Sequence, residues 1–182
     1  MSLHLLGLSG SLRAGSHNTS LLRAAATLVP ANTTLTVRTV HGIPIYDGDV
    51  EAQGLPSEVV ALREAIRAAD GVLLATPEYN HGVPGGLKNA LDWVSRGPDS
   101  PLRGKPFAIV SASSGGMGGV RAQLAWLPTF ACVGARVLHD AEFYLSNAGQ
   151  AFTGESTLAD ERTRERLSAF LDAFATWCRS AR

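Results

Sequence analysis

The sequence is poor in charged residues and has no long apolar run, and both shortages narrow the classes of protein to consider. Charged residues make up 18% of the 182-residue chain, below the roughly 25% that is typical of soluble domains. The 16 basic and 16 acidic residues cancel, which argues against a nucleic-acid partner and against the acidic surface of an electron carrier. Because no stretch approaches the ~18 apolar residues of a membrane span, we expect no membrane partner.

Cysteine is also scarce, which favours a reducing compartment. Cys132 and Cys178 lie far apart and outside a C-x-x-C spacing, and we expect both to be reduced thiols in or near the core. The first residues lack the basic segment of a signal peptide, so we expect a cytoplasmic protein. The histidines show no metal-ligand spacing, and no metal site is predicted.

The chain is rich in a regular alternation of short apolar runs and amphipathic stretches. The apolar runs predict strands at 3–8, 35–40, 71–76, 107–111 and 136–138, the last continuing beyond residue 138. The amphipathic stretches predict helices at 19–28, 59–69, 86–95, 120–127 and 160–179. Strands that alternate with helices form βαβ units. We therefore predict a single domain over 1–182, a flavodoxin-like three-layer α/β sandwich with a five-stranded parallel sheet in the order 2-1-3-4-5.

The loop after the first strand, residues 9–20, is rich in hydrogen-bond donors and leads into a predicted helix. Gly10 and Gly15 allow tight turns that present backbone N–H groups inward, and Arg13 adds a planar cation suited to phosphate oxygens. The glycine spacing begins like a P-loop, but the required Lys-Ser/Thr pair is missing after Gly15. The loop therefore predicts a site for a single terminal phosphate, and the alternative is a helix-capping turn with a surface arginine.

The loop after the third strand begins at residue 77 and combines stiff and open positions. Pro77 and Pro84 stiffen it, while Tyr79 and Asn80 offer a stacking surface and amide hydrogen bonds. In open α/β sheets, ligands bind beyond the carboxyl ends of the strands. The composition predicts a site for a flat ligand, and the alternative is a proline-rich turn that caps a helix.

These segments carry a family resemblance. The chain contains three motifs: Gly10-Ser-Leu-Arg13 with Ser16-x-Asn18, Pro77-Glu-Tyr-Asn80, and Pro84-Gly85-x-Leu-Lys-Asn-Ala-Leu-Asp-Trp93. They resemble the motifs of the NADPH-dependent FMN reductases. This flavodoxin-like family includes chromate, quinone and azo-dye reductases. The resemblance extends from the first strand through Arg121-Ala-Gln123.

The resemblance implies a tightly bound FMN. In the first loop the predicted cofactor-binding residues are Ser9, Ser11, Arg13, Ser16, Asn18 and Thr19, and all but Ser9 would hold the phosphate. Along the isoalloxazine edge they are Pro77, Glu78, Tyr79, Asn80 and Gly82, which would act largely through backbone groups. On the other side of the ring they are Ser111, Ser113, Gly115 and Gly116. No side chain is expected to act as a nucleophile or an obligatory acid.

The reaction implied is hydride transfer from NADPH or NADH to FMN and then to a second substrate at the same place, with ping-pong kinetics. The sequence leaves the acceptor open among quinone, free flavin, azo compound and metal oxyanion, and it leaves the nicotinamide preference open too. The alternatives are a flavin-binding redox carrier or sensor and a phosphate-binding module without redox chemistry. Because members of the family form dimers and often tetramers, we expect a homodimer or homotetramer.

Three residues depart from the family pattern. Gly82 often has serine as its counterpart and Gly86 a branched aliphatic residue, so we expect more open space beside the ring. Pro128 should kink or end the helix predicted around it. Of the histidines, His81 is the candidate for the mouth of the flavin pocket.

Overall fold

The computed structural model describes residues 2–181 and folds them into alternating strands and helices. The strands are β1 (Leu3–Ser9), β2 (Thr33–Thr39), β3 (Gly71–Ala75), β4 (Pro106–Ala112), β5 (Arg136–Val137) and β6 (Phe143–Leu145). The helices are α1 (His17–Leu28), α2 (Gly48–Gln53), α3 (Ser57–Ala68), α4 (Gly85–Val94), α5 (Val120–Val133) and α6 (Glu161–Ser180), and a short 3₁₀ turn spans Ala148–Gln150. The first four strands begin and end within one or two residues of their predicted bounds.

The sheet is parallel and has the order β2-β1-β3-β4-β5, which confirms the predicted topology. Leu5 of β1 pairs with Leu35 of β2 and Gly71 of β3, and Val72 of β3 pairs with Phe107 of β4. Each crossover passes through a helix, as parallel connections require. This is the flavodoxin-like fold, and it brings the carboxyl ends of β1, β3 and β4 to one edge of the sheet.

Apolar cores lie on both faces of the sheet, because alternate residues of a strand point to opposite sides. On one face Leu73 and Val110 pack with α1 and α6. On the other face Leu74 and Phe107 pack with α3, α4 and α5. The central strands β3 and β4 are buried along their whole length, as continuous apolar runs predict.

The last predicted strand is interrupted. β5 ends at Val137. The chain pairs with β4 again from Phe143, where β6 begins opposite Val110. His139 and Asp140, which lie between β5 and β6, are exposed. These polar residues therefore face solvent and do not take part in strand pairing. The prediction of one continuous strand is therefore wrong.

The prediction that Pro128 bends or ends its helix is wrong in its second part. α5 runs through Pro128 to Val133, although proline removes one backbone hydrogen bond. Trp126 and Phe130 on either side are buried, and the Trp126 indole N–H donates to Thr76 Oγ1 (2.9 Å). This packing keeps the helix intact across the proline.

One helix was not predicted, and one cysteine lies elsewhere than expected. α2 is six residues long and buries none of them, so it has no apolar periodicity by which to predict it. Cys178 is buried, but Cys132 is exposed on α5, and the expectation of a thiol in or near the core is wrong there.

Within residues 2–181, no helix combines the length and apolar character needed to cross a membrane.

A buried arginine holds the end of α4. Arg63 of α3 is 6% exposed, and its guanidinium donates to the carbonyl oxygens of Val94 (3.0 Å) and Arg96 (2.7 Å). A helix C-terminus leaves such carbonyls without partners in the helix. Arg63 also donates to Asp99 Oδ1 (2.8 Å), and this hydrogen bond holds the pKa of Asp99 below its ordinary value. Arg63 thus ties α4 to α3.

We expect Arg63→Ala to lower the free energy of unfolding by about 1.5–3 kcal/mol, because carbonyls at the end of α4 lose a charged donor. Arg67→Ala is the matched control. Its guanidinium also bonds Asp99 (3.1 Å), but its side chain is 51% exposed, so its loss should cost less than about 1 kcal/mol. Urea unfolding followed by circular dichroism measures both variants, and equal losses would contradict the role assigned to Arg63.

Candidate functional site

The loops that follow β1, β3 and β4 enclose an open pocket of about 150 Å³ at the carboxyl edge of the sheet. Gly10 N–H donates to the Ala75 carbonyl (2.9 Å) and Thr76 N–H to the Val110 carbonyl (2.9 Å), so the loops start from fixed positions. Gly10 has no room for a side chain, since a Cβ there would lie 2.6 Å from Leu87 Cδ2. The pocket is lined by Ser11, Arg13, Ser16, His17, Asn18, Pro77, Glu78, Tyr79, Ala112, Ser113 and Ser114.

The first loop forms a cradle of backbone donors. Within residues 2–181, the N–H groups of residues 12–18 donate to no other group of the protein. The cradle ends at the N-terminus of α1, whose partial positive charge favours an anion. Of these residues, Arg13, Ser16, His17 and Asn18 line the pocket, so a ligand or water there can accept from their N–H groups.

Arg13 places a cation beside the cradle. It lines the pocket, and in the described part of the chain its guanidinium pairs with no carboxylate. Its Nη1 lies 3.6 Å from the position of a Cβ built on Gly15, so the side chain folds back over the loop. A planar cation above a row of N–H groups is suited to the oxygens of one phosphate.

Several polar side chains of this loop hold the loop itself. Asn18 is buried, and its amide both donates to the Ala112 carbonyl (2.9 Å) and accepts from the Ala112 N–H (3.0 Å). Ser9 and Thr19 share a buried hydroxyl–hydroxyl bond of 2.8 Å. The side chains of Asn18 and Thr19 therefore hold the shape of the loop, and their contacts with the phosphate stay a prediction.

Ser11 and Ser16 keep a hydroxyl proton for a ligand. Ser16 Oγ accepts from Thr19 N–H (3.2 Å) as the N-cap of α1, which leaves the hydroxyl proton unused. The Ser11 hydroxyl makes no hydrogen bond to another group among residues 2–181 and lines the pocket with Ser16. These two side chains are available for the predicted phosphate contacts.

Glu78 joins the second loop to α5. Its Oε2 accepts from the backbone N–H groups of Arg121 (3.1 Å) and Ala122 (3.3 Å), and the Arg121 guanidinium lies 3.9 Å from its Oε1. α5 has no cap from its own sequence, because Gly119 occupies the N-cap position. The Glu78 carboxylate supplies that cap from another loop. The sequence prediction, which gave Glu78 backbone contacts, missed this role because the partners are 43 and 44 residues away.

The tip of the second loop is a tight turn. Tyr79 and Gly82 exchange backbone hydrogen bonds of 3.0 and 3.2 Å, and Asn80 and His81 between them have φ angles of 50° and 64°. Two successive left-handed residues make a type I′ turn, in which histidine is a costly choice. The turn presents the 54% exposed Tyr79 beside the pocket. His81, expected at the pocket mouth, lies at the tip of this turn and does not line the pocket.

Ser111 holds the third pocket loop, the one that follows β4, in position. Its buried Oγ donates to the Gly118 carbonyl (2.6 Å) and accepts from Gln123 Nε2 (2.7 Å). Gly119 packs against it so closely that a Cβ would lie 2.7 Å from Ser111 Cβ, and its φ of +89° also favours glycine. These bonds engage the Ser111 hydroxyl in positioning the loop, and the place of Ser111 on the other side of the ring stays a prediction.

The family is decided by comparison with known proteins. The family model described as NADPH-dependent FMN reductase matches residues 3–150. The chain belongs to this family.

Individual relatives agree with that assignment over nearly the whole chain. The NAD(P)H-dependent FMN reductase of Pseudomonas aeruginosa is 43% identical over 180 residues, which covers 99% of this chain and 97% of the relative. A quinone reductase of Escherichia coli K12 is 42% identical over 177 residues, covering 94% of this chain and 93% of the relative. Among solved structures, the flavoenzyme FerB of Paracoccus denitrificans, an NAD(P)H:(acceptor) oxidoreductase, superimposes with a TM-score of 0.90 at 30% identity and 98% coverage of both chains.

The pocket of this FMN reductase family member fits FMN. FMN carries one terminal phosphate, which suits a cradle of backbone donors with one arginine and no P-loop lysine. Predicted residues that line the pocket are Ser11, Arg13, Ser16, Asn18, Pro77, Glu78, Tyr79 and Ser113. Predicted residues outside its lining are Ser9, Thr19, Asn80, Gly82, Ser111, Gly115 and Gly116.

Three lining residues were not predicted. Ser114 lies between two predicted residues of the same Ser/Gly run, so extending that run would have found it. Ala112 ends β4, where strand ends in this fold point to ligands. His17 opens α1 and stacks parallel to Phe152, with ring centroids 6.2 Å apart. That partner is distant in sequence, and no local pattern signals the contact.

Arg13→Ala should weaken the binding of FMN more than that of riboflavin, by about 1.5–3 kcal/mol, because only FMN offers a charged acceptor to the guanidinium. Titration of apoprotein with each flavin, followed by flavin fluorescence, measures the two affinities. An equal loss for both flavins would show that Arg13 does not contact the phosphate.

Glu78→Ala should weaken FMN and riboflavin equally, because the loop loses its anchor on α5. It should also lower the free energy of unfolding by about 0.5–2 kcal/mol, the usual cost of a lost helix cap. Glu64→Ala, which removes an exposed glutamate from the middle of α3, is the control and should change neither quantity. The same titrations and urea unfolding test this, and a loss confined to FMN would argue against a positioning role.

Proposed function

We propose that the protein is an FMN-dependent NAD(P)H oxidoreductase that uses a quinone as electron acceptor. The observation that carries this is the row of N–H groups at residues 12–18 without a protein acceptor in the described chain, flanked by Arg13, in a member of the FMN reductase family. Bound FMN supplies hydride chemistry between a nicotinamide and an acceptor. The protein's own part is to bind, orient and tune that group.

The cradle and the two other loops divide this work. The backbone N–H groups of Arg13 and of residues 16–18, which line the pocket, hold the phosphate together with the side chains of Ser11, Arg13 and Ser16. The Pro77–Tyr79 segment, fixed to α5 through Glu78, lines the side where the ring lies. The N–H group of Ser114, which lines the pocket, donates to nothing else in residues 2–181, so it is available to stabilise negative charge at that edge of the pocket.

Quinone is favoured as the acceptor among those that the sequence leaves open. The relative from Escherichia coli, which matches 94% of this chain, is named a quinone reductase. The exposed Tyr79 offers a stacking surface to a flat ring. The carboxylate of Glu78, which lines the pocket, is engaged as the cap of α5. We therefore assign the stabilisation of charge on the bound group to backbone dipoles. Nicotinamide and acceptor use the same open side in turn, which gives ping-pong kinetics.

A redox carrier is the less favoured function. Carriers of this fold are usually acidic, whereas this chain has no net charge. Its relatives are named as reductases.

Assembly and location form part of the same proposal. Leu12 (49% exposed), Tyr79 (54%) and Met117 (52%) come from the three pocket loops, and an apolar rim of this kind is typical of an interaction surface. It supports a homodimer, or a tetramer of two dimers. The cysteines form no disulfide, in keeping with a reducing compartment such as the cytoplasm.

Purified protein should be yellow, contain FMN and oxidise NADPH continuously when a soluble quinone is supplied. Initial rates measured at several concentrations of both substrates should give parallel double-reciprocal lines. Single-turnover bleaching without sustained NADPH consumption would instead favour a carrier. Failure to retain any flavin would overturn the assignment.

A further inference from the structure

A second cavity of about 230 Å³ adjoins the cofactor pocket. It lies along α1 and is closed on its other side by the segment after β6. His17 lines both cavities and is held there by the parallel Phe152 ring. The remaining lining residues are Ala14, Gly15, Ser20, Arg23, Ala148, Gly149, Gly154 and Glu155.

The residues that line the two cavities show how the cavities are arranged relative to each other. Tyr79 lines only the first cavity, and Arg23 lines only the second. His17 lies between them as the shared wall. A ligand that starts at Tyr79 and follows the first loop past His17 therefore arrives beside Arg23.

Arg23 supplies a cation in the second cavity. Its Nη1 bonds Glu155 Oε2 at 2.8 Å, but the two side chains are 42% and 85% exposed. Exposed pairs of this kind contribute little to stability, so an anion with more charge than a carboxylate can replace Glu155 at small cost. The guanidinium fork matches phosphate oxygens in particular.

We propose that this second cavity binds the adenosine end of NADPH and that Arg23 recognises its 2′-phosphate. The inference rests on the proposed function, which requires the nicotinamide at the Tyr79 side of the pocket. The dinucleotide then runs past His17 with its adenosine in the second cavity, between α1 and the Phe152 segment. NADH lacks the 2′-phosphate, so the protein prefers NADPH, and Arg23 determines that preference.

Steady-state kinetics of the FMN-loaded protein provide the first test. Wild type should have a lower KM for NADPH than for NADH, and Arg23→Ala should raise the NADPH KM by about five- to tenfold, as for a half-exposed charged contact. The NADH KM, kcat and FMN content should stay unchanged. Arg162→Ala, which removes an exposed arginine on α6, is the control and should alter none of them.

Calorimetric binding of an adenosine fragment provides a test that does not depend on turnover. Holoprotein should bind adenosine 2′,5′-bisphosphate more tightly than 5′-AMP, and Arg23→Ala should remove the difference. Glu155→Gln, which removes the competing carboxylate, should tighten only the bisphosphate. Equal binding of the two fragments, or equal NADPH and NADH constants in wild type, would overturn the second site. A protein without FMN or without NADPH oxidation would instead overturn the proposed function.

Discussion

The structure depends on one constraint, the backbone N–H groups of residues 12–18 that find no acceptor within residues 2–181. A chain that leaves β1 and enters α1 could satisfy these donors with a tighter turn or with side chains. Here it does neither, and the donors are left for a ligand or water to satisfy. The arrangement is stable because the loop is fixed from outside. Asn18 bonds the end of β4 in both directions, and Gly10 lets Leu87 of α4 pack directly on the backbone.

α5 fixes the other two pocket loops, those after β3 and β4, in the same way. Its first N–H groups donate to the Glu78 carboxylate, Gln123 bonds Ser111, and Trp126 bonds Thr76. These contacts reach the ends of both β3 and β4. A helix interrupted by Pro128 would loosen them, so burial of the residues around the proline matters to the pocket as well as to the core.

The sequence predicted most of the fold because its signals are local. Continuous apolar runs such as that of β3 are distinctive, and their alternation with helices indicated the parallel sheet. Prediction failed where a signal was short or depended on distant partners, as in α2 and in the break after Val137. The site shows the same division. Glycines, serines and Arg13 located the pocket. The partner of Asn18 lies 94 residues away, and those of Ser111 lie 7 and 12 residues away across an irregular loop, so no local pattern predicts the use of these side chains.

The pocket residues divide between those that would hold a cofactor and those that face the open side of the pocket. A cofactor that supplies the reaction's chemistry must be bound tightly at one end and left accessible to substrates at the other. The donors at the first end belong to the backbone, so substitutions other than proline leave them in place. The open side is lined by Tyr79, beside a turn with two left-handed residues. Acceptor choice can therefore vary through the exposed loops while cofactor binding stays fixed by the path of the chain between β1 and α1.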